Sequence, residues 1–363
     1  MRVLTVIGNR PQFIKAAAVS PRLRAEHSEI LVHTGQHHDD RLSAIFFAEL
    51  GLPVPEVQLG IAGGSNTSQT ARQLAALEPV LARAAADVVL VYGDTNSTLT
   101  GALAAAQAGV PVAHVEAGMR SFDRTMPEEI NRVSVDHLSS LLLCSSPVAV
   151  ANLAREGVTA VGPPPGRSVE MVGDVMVDVA FRVQPAARER DDLVRARGLA
   201  PGGYVLATAH RAGNVDTVDR LRALVGVLAA VSAEVPVLLA LHPRTRARLA
   251  QFGLSLDAVA GLTVCEPLGY VELTALLVHA RGVLTDSGGL QKEAYLAAVP
   301  CVTLRPSTEW VETVQAGWNT LVDLDRVAAV AALGSPPPNE RPALYGDGRA
   351  GERVLDALVR HLD

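Results

Sequence analysis

The sequence predicts an α/β chain made of two doubly wound domains that share one plan. Three observations carry this expectation. Short runs of β-branched and aliphatic residues, such as Val88-Val89-Leu90-Val91-Tyr92, continue without polar alternation and stop at a glycine or a charge, as strands buried in a parallel sheet do. Helical stretches rich in Ala, Leu and Arg separate these runs. A succession of strand, loop, small-residue helix, strand and acid occurs twice in the 363 residues, a length for which two domains is the natural division.

In chain order, a strand from Val3 to Ile7 opens the first half and leads into Gly8-Asn9-Arg10. The run from Val88 leads into Gly93-Asp94-Thr95, then a helix from Leu99 to Ala108, then a second apolar run from Val110 that stops at Glu116. Glu128 follows. Gly162-Pro163-Pro164-Pro165-Gly166 reads as a surface loop before a strand from Val169 to Val172, with the crossover to the second half near residues 172–202. There Tyr204 to Thr208 leads into Ala209-His210-Arg211, matching the opening of the first half. Strand Gly282 to Thr285, loop Asp286-Ser287-Gly288-Gly289, helix Leu290 to Ala298, strand Cys301 to Leu304 and Glu309 repeat the second motif. Pro336-Pro337-Pro338 reads as another surface loop. A Tyr345-Gly346-Asp347-Gly348 turn precedes a final helix, Arg349 to Leu362, that would cap either domain. The expected product is two Rossmann-like domains, residues 1–172 and 173–348, facing each other with the ligand in the cleft between them.

Composition excludes several classes of function. No apolar run approaches the roughly 18 residues of a membrane helix, and the chain enters a strand without signal-peptide architecture, so a cytoplasmic protein is expected. A formal charge of −6 sets up no global field for nucleic acid or an anionic membrane, leaving any anionic ligand to a local site. Cys144, Cys265 and Cys301 lack metal-ligand spacing and read as buried reduced thiols. His37-His38 beside Asp39-Asp40 looks like a metal cluster, but adjacent residues point apart, and no metal is expected there.

Carboxyl ends of parallel strands face the ligand crevice in open α/β sheets. Taken singly, Asp94, Glu116 and Glu128 each read equally well as a helix N-cap or a solvated loop acid. Three together favour proton transfer. The Asp286 to Gly289 loop joins a strand to a helix and would seat a diphosphate on its amides and the helix N-terminus. Glu293, further into that helix, reads either as a ribose-diol ligand or as an ordinary helix-surface acid. Arg10 and Lys15 follow the first strand and would add cationic contacts from across the cleft. His210, beside Arg211 at a ligand-facing strand end, is a candidate for contacting developing negative charge. The only lysines, Lys15 and Lys292, both lie next to these loops.

On these residues the chain resembles the non-hydrolysing UDP-N-acetylglucosamine 2-epimerases, which have the GT-B arrangement of two Rossmann-like domains. The resemblance runs through Gly8-Asn9-Arg10-Pro11-Gln12-Phe13-Ile14-Lys15, Tyr92-Gly93-Asp94-Thr95-Asn96, His114-Val115-Glu116-Ala117-Gly118, Pro127-Glu128-Glu129-Ile130-Asn131-Arg132, Val172-Gly173-Asp174, His210-Arg211, Asp286-Ser287-Gly288-Gly289-Leu290-Gln291, Thr308-Glu309 and Tyr345-Gly346-Asp347-Gly348. It implies inversion at C2 of a UDP-2-acetamido sugar, UDP-N-acetylglucosamine to UDP-N-acetylmannosamine, without cofactor or metal, through UDP elimination to a 2-acetamidoglucal and re-addition. Asp94, Glu116, Glu128 and His210 match the family's catalytic set. Asp94 and Glu128 are assigned to proton transfer, Glu116 to orienting or polarising, and His210 to the departing diphosphate. Arg10, Ser287, Gly288, Gly289 and Glu293 match its UDP-binding positions. The resemblance also implies a homodimer and a final helix, 349–363, packed back on the N-terminal domain. Departures are Gly213 and Gln12, where members often carry Glu, and a stretch from Thr34 to Arg41 without the pattern associated with activation by substrate. Thr308-Glu309-Trp310-Val311-Glu312 is more similar to the branch acting on diacetamido-uronic acids. A hydrolysing 2-epimerase, a GT-B glycosyltransferase and a non-catalytic nucleotide-sugar sensor are the competing readings.

Overall fold

The computed structural model describes residues 1–36, 47–160 and 166–362. The chain divides into two compact units, Met1–Phe181 with Ala343–Asp363, and Arg182–Pro342. The His37 to Asp40 cluster and the Pro163 to Pro165 loop lie outside the described residues.

The first unit is built on seven parallel strands: β1 (Arg2–Ile7), β2 (Ser28–His33), β3 (Val57–Gln58), β4 (Val88–Tyr92), β5 (Val112–Ala117), β6 (Leu141–Cys144) and β7 (Ser168–Met171). Their order is β3-β2-β1-β4-β5-β6-β7. Val88 to Tyr92 is buried throughout, which is why its sequence shows no alternation. The helix after it, Asn96–Gln107, comes close to the sheet because Gly101 faces Val6 and Val91 without a side chain of its own. The second unit repeats the winding with β8 (Val205–Thr208), β9 (Val237–Ala240), β10 (Leu262–Cys265), β11 (Gly282–Thr285), β12 (Cys301–Thr303) and β13 (Asn319–Leu321), in the order β10-β9-β8-β11-β12-β13. Both orders reverse direction once, between β1 and β4 and between β8 and β11. Such reversals are where open α/β sheets bind ligands.

The first unit continues beyond the expected boundary at 172. Asp174 N donates to Tyr345 O (3.1 Å), and Asp178 accepts from Ala350 N (3.0 Å) and Gly351 N (2.8 Å), so residues 173–181 are tied to the returning chain. The final helix, Ala350–Leu362, buries Val354, Leu355, Ala357 and Leu358, and its Gly351 lies against the Ala18 carbonyl of helix Arg10–Glu26. Cys144 and Cys301 are buried free thiols that burial pushes up to about 12, whereas Cys265 is only partly buried. Among the described residues no helix is long and apolar enough to cross a membrane, and no group of three or more His, Cys, Asp or Glu could hold a metal ion.

Candidate active site

At the reversal of the first sheet, the loops after β1 and β4 are stapled together by Gln12. This buried side chain accepts from Gly8 N (2.7 Å) and donates to Tyr92 O (2.8 Å) and Thr98 Oγ1 (2.9 Å). A glutamate there would lack the two N–H donors, which accounts for the amide. Gly93 follows with φ of +65°, and its open side admits the Lys15 ammonium, so a side chain at this position would be both strained and crowded.

The three sequence-nominated acids fall in three kinds of place. Asp94 is in the loop after β4, as expected. Glu116 lies inside β5 instead of past its end; it takes a φ of +72°, and the β5–β6 register shifts between Val115 and Ala117. A non-glycine residue held there is strained backbone at a ligand-facing strand end, a mark of functional positions. Glu128 is not at a strand end: it is the second residue of helix Pro127–Leu138. Proline at the first helical position and acids in the first turn explain why the helix starts there.

Two of the three acids have a defined electrostatic setting. Lys15, nominated as a ligand contact, has its Nζ 2.7 Å from Glu116 Oε2, with both side chains largely buried. Asp94 Oδ2 pairs with Arg132 Nη2, and Asn131 Nδ2 donates to Asp94 O (3.0 Å). Arg132 Nη1 donates to Glu129 Oε2 (2.9 Å). Burial pulls the Arg132 guanidinium down, but Asp94 and Glu129 outweigh it and the net shift is upward. Glu129 is opposed in the same way. Burial raises it, while donors from Ser121 N (2.9 Å), Ser121 Oγ (2.9 Å), Phe122 N (3.0 Å) and the charge of Arg132 bring it below the usual range. Beneath β5, His114 Nδ1 contacts Asp136 Oδ1 (2.7 Å) and Nε2 contacts Gly93 O (2.8 Å), and Arg120 Nη1 donates to Asp136 Oδ2 (2.7 Å). Asp136 is fully buried; burial pushes it up, and His114 and Arg120 hold it down.

At the reversal of the second sheet the chemistry differs. Asp286 is fully buried and accepts from His210 N (3.0 Å), Arg211 N (2.9 Å) and Asn214 Nδ2 (3.1 Å), so it fixes the His210-Arg211 turn. The His210 ring is half-exposed, stacks on His242 at 5.0 Å, and has Nδ1 3.5 Å from Asp286 Oδ1. Ser287 caps helix Gly288–Ala297, its Oγ accepting from Leu290 N (3.5 Å). Among the described residues no hydrogen bond engages the Gly288 or Gly289 amide, so both remain for an anion. Glu293 is buried in the same helix, and Lys292 Nζ lies 4.4 Å from the centre of the Trp310 ring.

Sequence reasoning did not single out Gln12, Glu129, Asn131, Arg132, Asp136 or His242 for a role. Each acts through a partner brought close by the fold, and only a motif-level match marked any of them. Glu309, noted as the acid closing the repeat, has a further role. Its Oε2 pairs with Arg305 Nη1 (2.9 Å), and its Oε1 rests against Gly288, where any side chain would collide with it. A carboxylate thus lies on the helix end expected to seat the diphosphate, where the helix dipole favours it.

Two parallel sheets wound alike, one with carboxylates and the other with open helix-end amides at its reversal, define a class of doubly wound α/β proteins. The UDP-N-acetylglucosamine 2-epimerase model matches residues 22–359, and the chain belongs to that family. A UDP-2,3-diacetamido-2,3-dideoxy-D-glucuronate 2-epimerase of Pseudomonas aeruginosa is 45% identical, covering 99% of this chain and 100% of the relative. The crystal structure of the Methanocaldococcus jannaschii UDP-GlcNAc 2-epimerase, in complex with UDP-GlcNAc and UDP, is similar with a TM-score of 0.91 and 37% identity, covering 99% of this chain and 100% of that one. A calicheamicin glycosyltransferase, at a TM-score of 0.52 and 15% identity over 99% of this chain and 94% of its own, shares the fold alone, which is of the GT-B class.

Proposed function

We propose that this chain inverts C2 of a UDP-2-acetamido sugar, with Asp94, Glu116 and Glu128 at the sugar and Arg10, Arg211, Ser287, Gly288, Gly289 and Glu293 holding UDP. The observation that carries the reading is the pairing of Glu116 with Lys15 and of Asp94 with Arg132 at the ends of β5 and β4, with Glu128 one helical turn before Arg132. One carboxylate takes the C2 proton as the C1–O bond to UDP breaks, leaving a C1–C2 double bond in the sugar. A second delivers a proton to the opposite face of C2, and the diphosphate oxygen returns to C1. Protons and electrons balance without an oxidant. Free helix-end amides, Arg211 and His210 stabilise the charge of the departing diphosphate, and Lys15 serves as the fixed countercharge of Glu116.

The test is the reaction in D2O, followed by NMR. Product is expected to carry deuterium at C2, and recovered substrate to acquire it. Inverted product that keeps its original C2 hydrogen would reject the mechanism. UDP accumulating in step with free sugar would favour the hydrolysing alternative.

The sugar is open to a second reading, favoured by the 45% identity to the diacetamido-glucuronate enzyme and by Thr308-Glu309-Trp310-Val311-Glu312. Offering both UDP-N-acetylglucosamine and UDP-2,3-diacetamido-2,3-dideoxyglucuronate separates them by kcat/KM. We further propose a cytoplasmic homodimer, in keeping with the family; sedimentation of the purified chain at monomer mass would remove the dimer.

A further inference from the structure

Asp94 and Glu128, the carboxylates assigned to proton transfer, belong to different elements, yet one helical turn addresses both. Glu128 stands at the second position of helix Pro127–Leu138, and the residues three and four places on, Asn131 and Arg132, both turn to Asp94. Residues four apart share a helix face. Arg132 is 8% exposed, and its fork spans two carboxylates, with Nη2 on Asp94 and Nη1 on Glu129. Glu129 in turn is anchored by Ser121 and the Phe122 amide, in the loop between Glu116 and Glu128. Phe122 is 68% exposed and held at φ of +59°, a strained backbone that Glu129 maintains. Arg132 Nε is buried without a hydrogen-bond partner among the described residues, so the guanidinium pose follows from the two acids and not from full satisfaction of its own donors.

We infer that Arg132 is a positioning residue that sets the Asp94 carboxylate at a fixed place relative to Glu128, with Glu129 as its anchor. The inference rests on the functional reading above, since it concerns the geometry of that proton transfer. Lysine cannot replace the arginine, because one ammonium on a flexible stem does not span two carboxylates as a planar fork does. Misplacing a reacting group by about 1 Å costs on the order of a hundredfold in rate.

The experiment compares wild type, Arg132→Lys, Arg132→Met, Asp94→Asn and the double variant Arg132→Met/Asp94→Asn. It measures C2 deuterium incorporation, kcat and KM on both UDP-sugars, UDP affinity, and thermal unfolding. Arg132→Lys is expected to fold, to bind UDP within about threefold of wild type, and to lose at least about tenfold in kcat and deuterium incorporation. The double variant is expected to be no slower than Asp94→Asn alone, since Arg132 acts through Asp94. Folded Arg132→Lys with wild-type exchange would overturn the positioning role, and so would a double variant whose losses multiply. If Arg132→Met does not fold, the lysine variant decides. Wild type with no exchange on either sugar would overturn the functional reading first, and the inference with it; wild type that exchanges while Arg132→Lys matches it overturns the inference alone.

Discussion

The two sheets share one strand order over six strands, to which the first adds β7, and they reverse at equivalent places, yet their carboxyl ends are built from opposite chemistry. At the first reversal, acids are set against buried cations: Lys15 on Glu116, Arg132 on Asp94 and Glu129, and Arg120 on Asp136. At the second, a buried aspartate organises the backbone amides of His210 and Arg211, the His210 ring is part-exposed, and among the described residues the Gly288 and Gly289 amides have no hydrogen-bond partner. One topology therefore carries acids paired with buried cations at one reversal and a buried aspartate with open helix-end amides at the other, and only the residues at the strand ends separate them.

The comparison breaks most readily at Asp136. If the first unit depends on compensated buried charge, Asp136→Ala should leave His114 Nδ1 without its partner and Arg120 held by Glu156 alone (2.7 Å), and cost roughly 3 kcal/mol in urea unfolding. A loss under about 1 kcal/mol would show that the network is not what holds that sheet end together. The pH dependence has a definite sign. Asp136 and Glu129 are held below their ordinary range in the folded chain, so the stability they contribute is present above that range and lost as pH falls through it. Acid should therefore loosen the β5 end of the first sheet, as followed by hydrogen exchange of β5, and Asp136→Asn should flatten that dependence.

Next in size are the acids themselves. Asp94→Asn and Glu128→Gln keep shape and remove basicity, and each should lower turnover by roughly a hundredfold or more while UDP affinity stays within a few-fold. Arg10→Ala should weaken UDP binding instead. Near wild-type turnover in Glu128→Gln would remove that residue from the mechanism and leave Asp94 and Glu116 as the pair.

Much of this division was legible in the sequence. Strands buried on both faces, such as Val88 to Tyr92, announce themselves by unbroken apolar character, and the Asp286 to Gly289 loop was placed between strand and helix within a residue or two. Glu116 is at the strand end the sequence predicts but just inside it, and its bulge and positive φ leave no trace in a run that reads Val-Ala-His-Val-Glu-Ala. Glu128 opens a helix instead of closing a strand, and Pro127 before it is the helix-start signal. Arg132, Gln12 and Asp136 were out of reach for a different reason: their partners lie 38, 80 and 22 residues away, and a single sequence carries no record of such pairs.

Gly288 offers a smaller effect that sharpens the account of the second site. Its missing side chain leaves room for the Glu309 carboxylate at the helix end. Gly288→Ala must displace Glu309 or shift the turn, and UDP affinity should fall about tenfold, or ~1.4 kcal/mol. C2 chemistry on bound substrate should change much less. A variant that keeps full UDP affinity but loses turnover would place Gly288 with the sugar and not with the diphosphate.

The smallest effect separates the units by how their chain ends are secured. Only the first unit receives the returning C-terminal helix, and the first amides of that helix, at Ala350 and Gly351, are capped by Asp178 from helix Val175–Arg188. Asp178→Ala should cost about 1 kcal/mol, the size of a lost helix cap, and should be read in thermal unfolding of the first unit alone. Burial raises Asp178 above its ordinary range despite the two amide donors, so its charged form is the disfavoured one in the folded chain. The wild type should therefore lose stability as pH rises through the raised folded value, from a maximum contribution below the unfolded one. Asp178→Asn keeps an acceptor and never charges. It should cost less than alanine and remove that pH dependence; an asparagine variant as unstable as alanine, with the pH slope intact, would show that the cap is not what secures the helix.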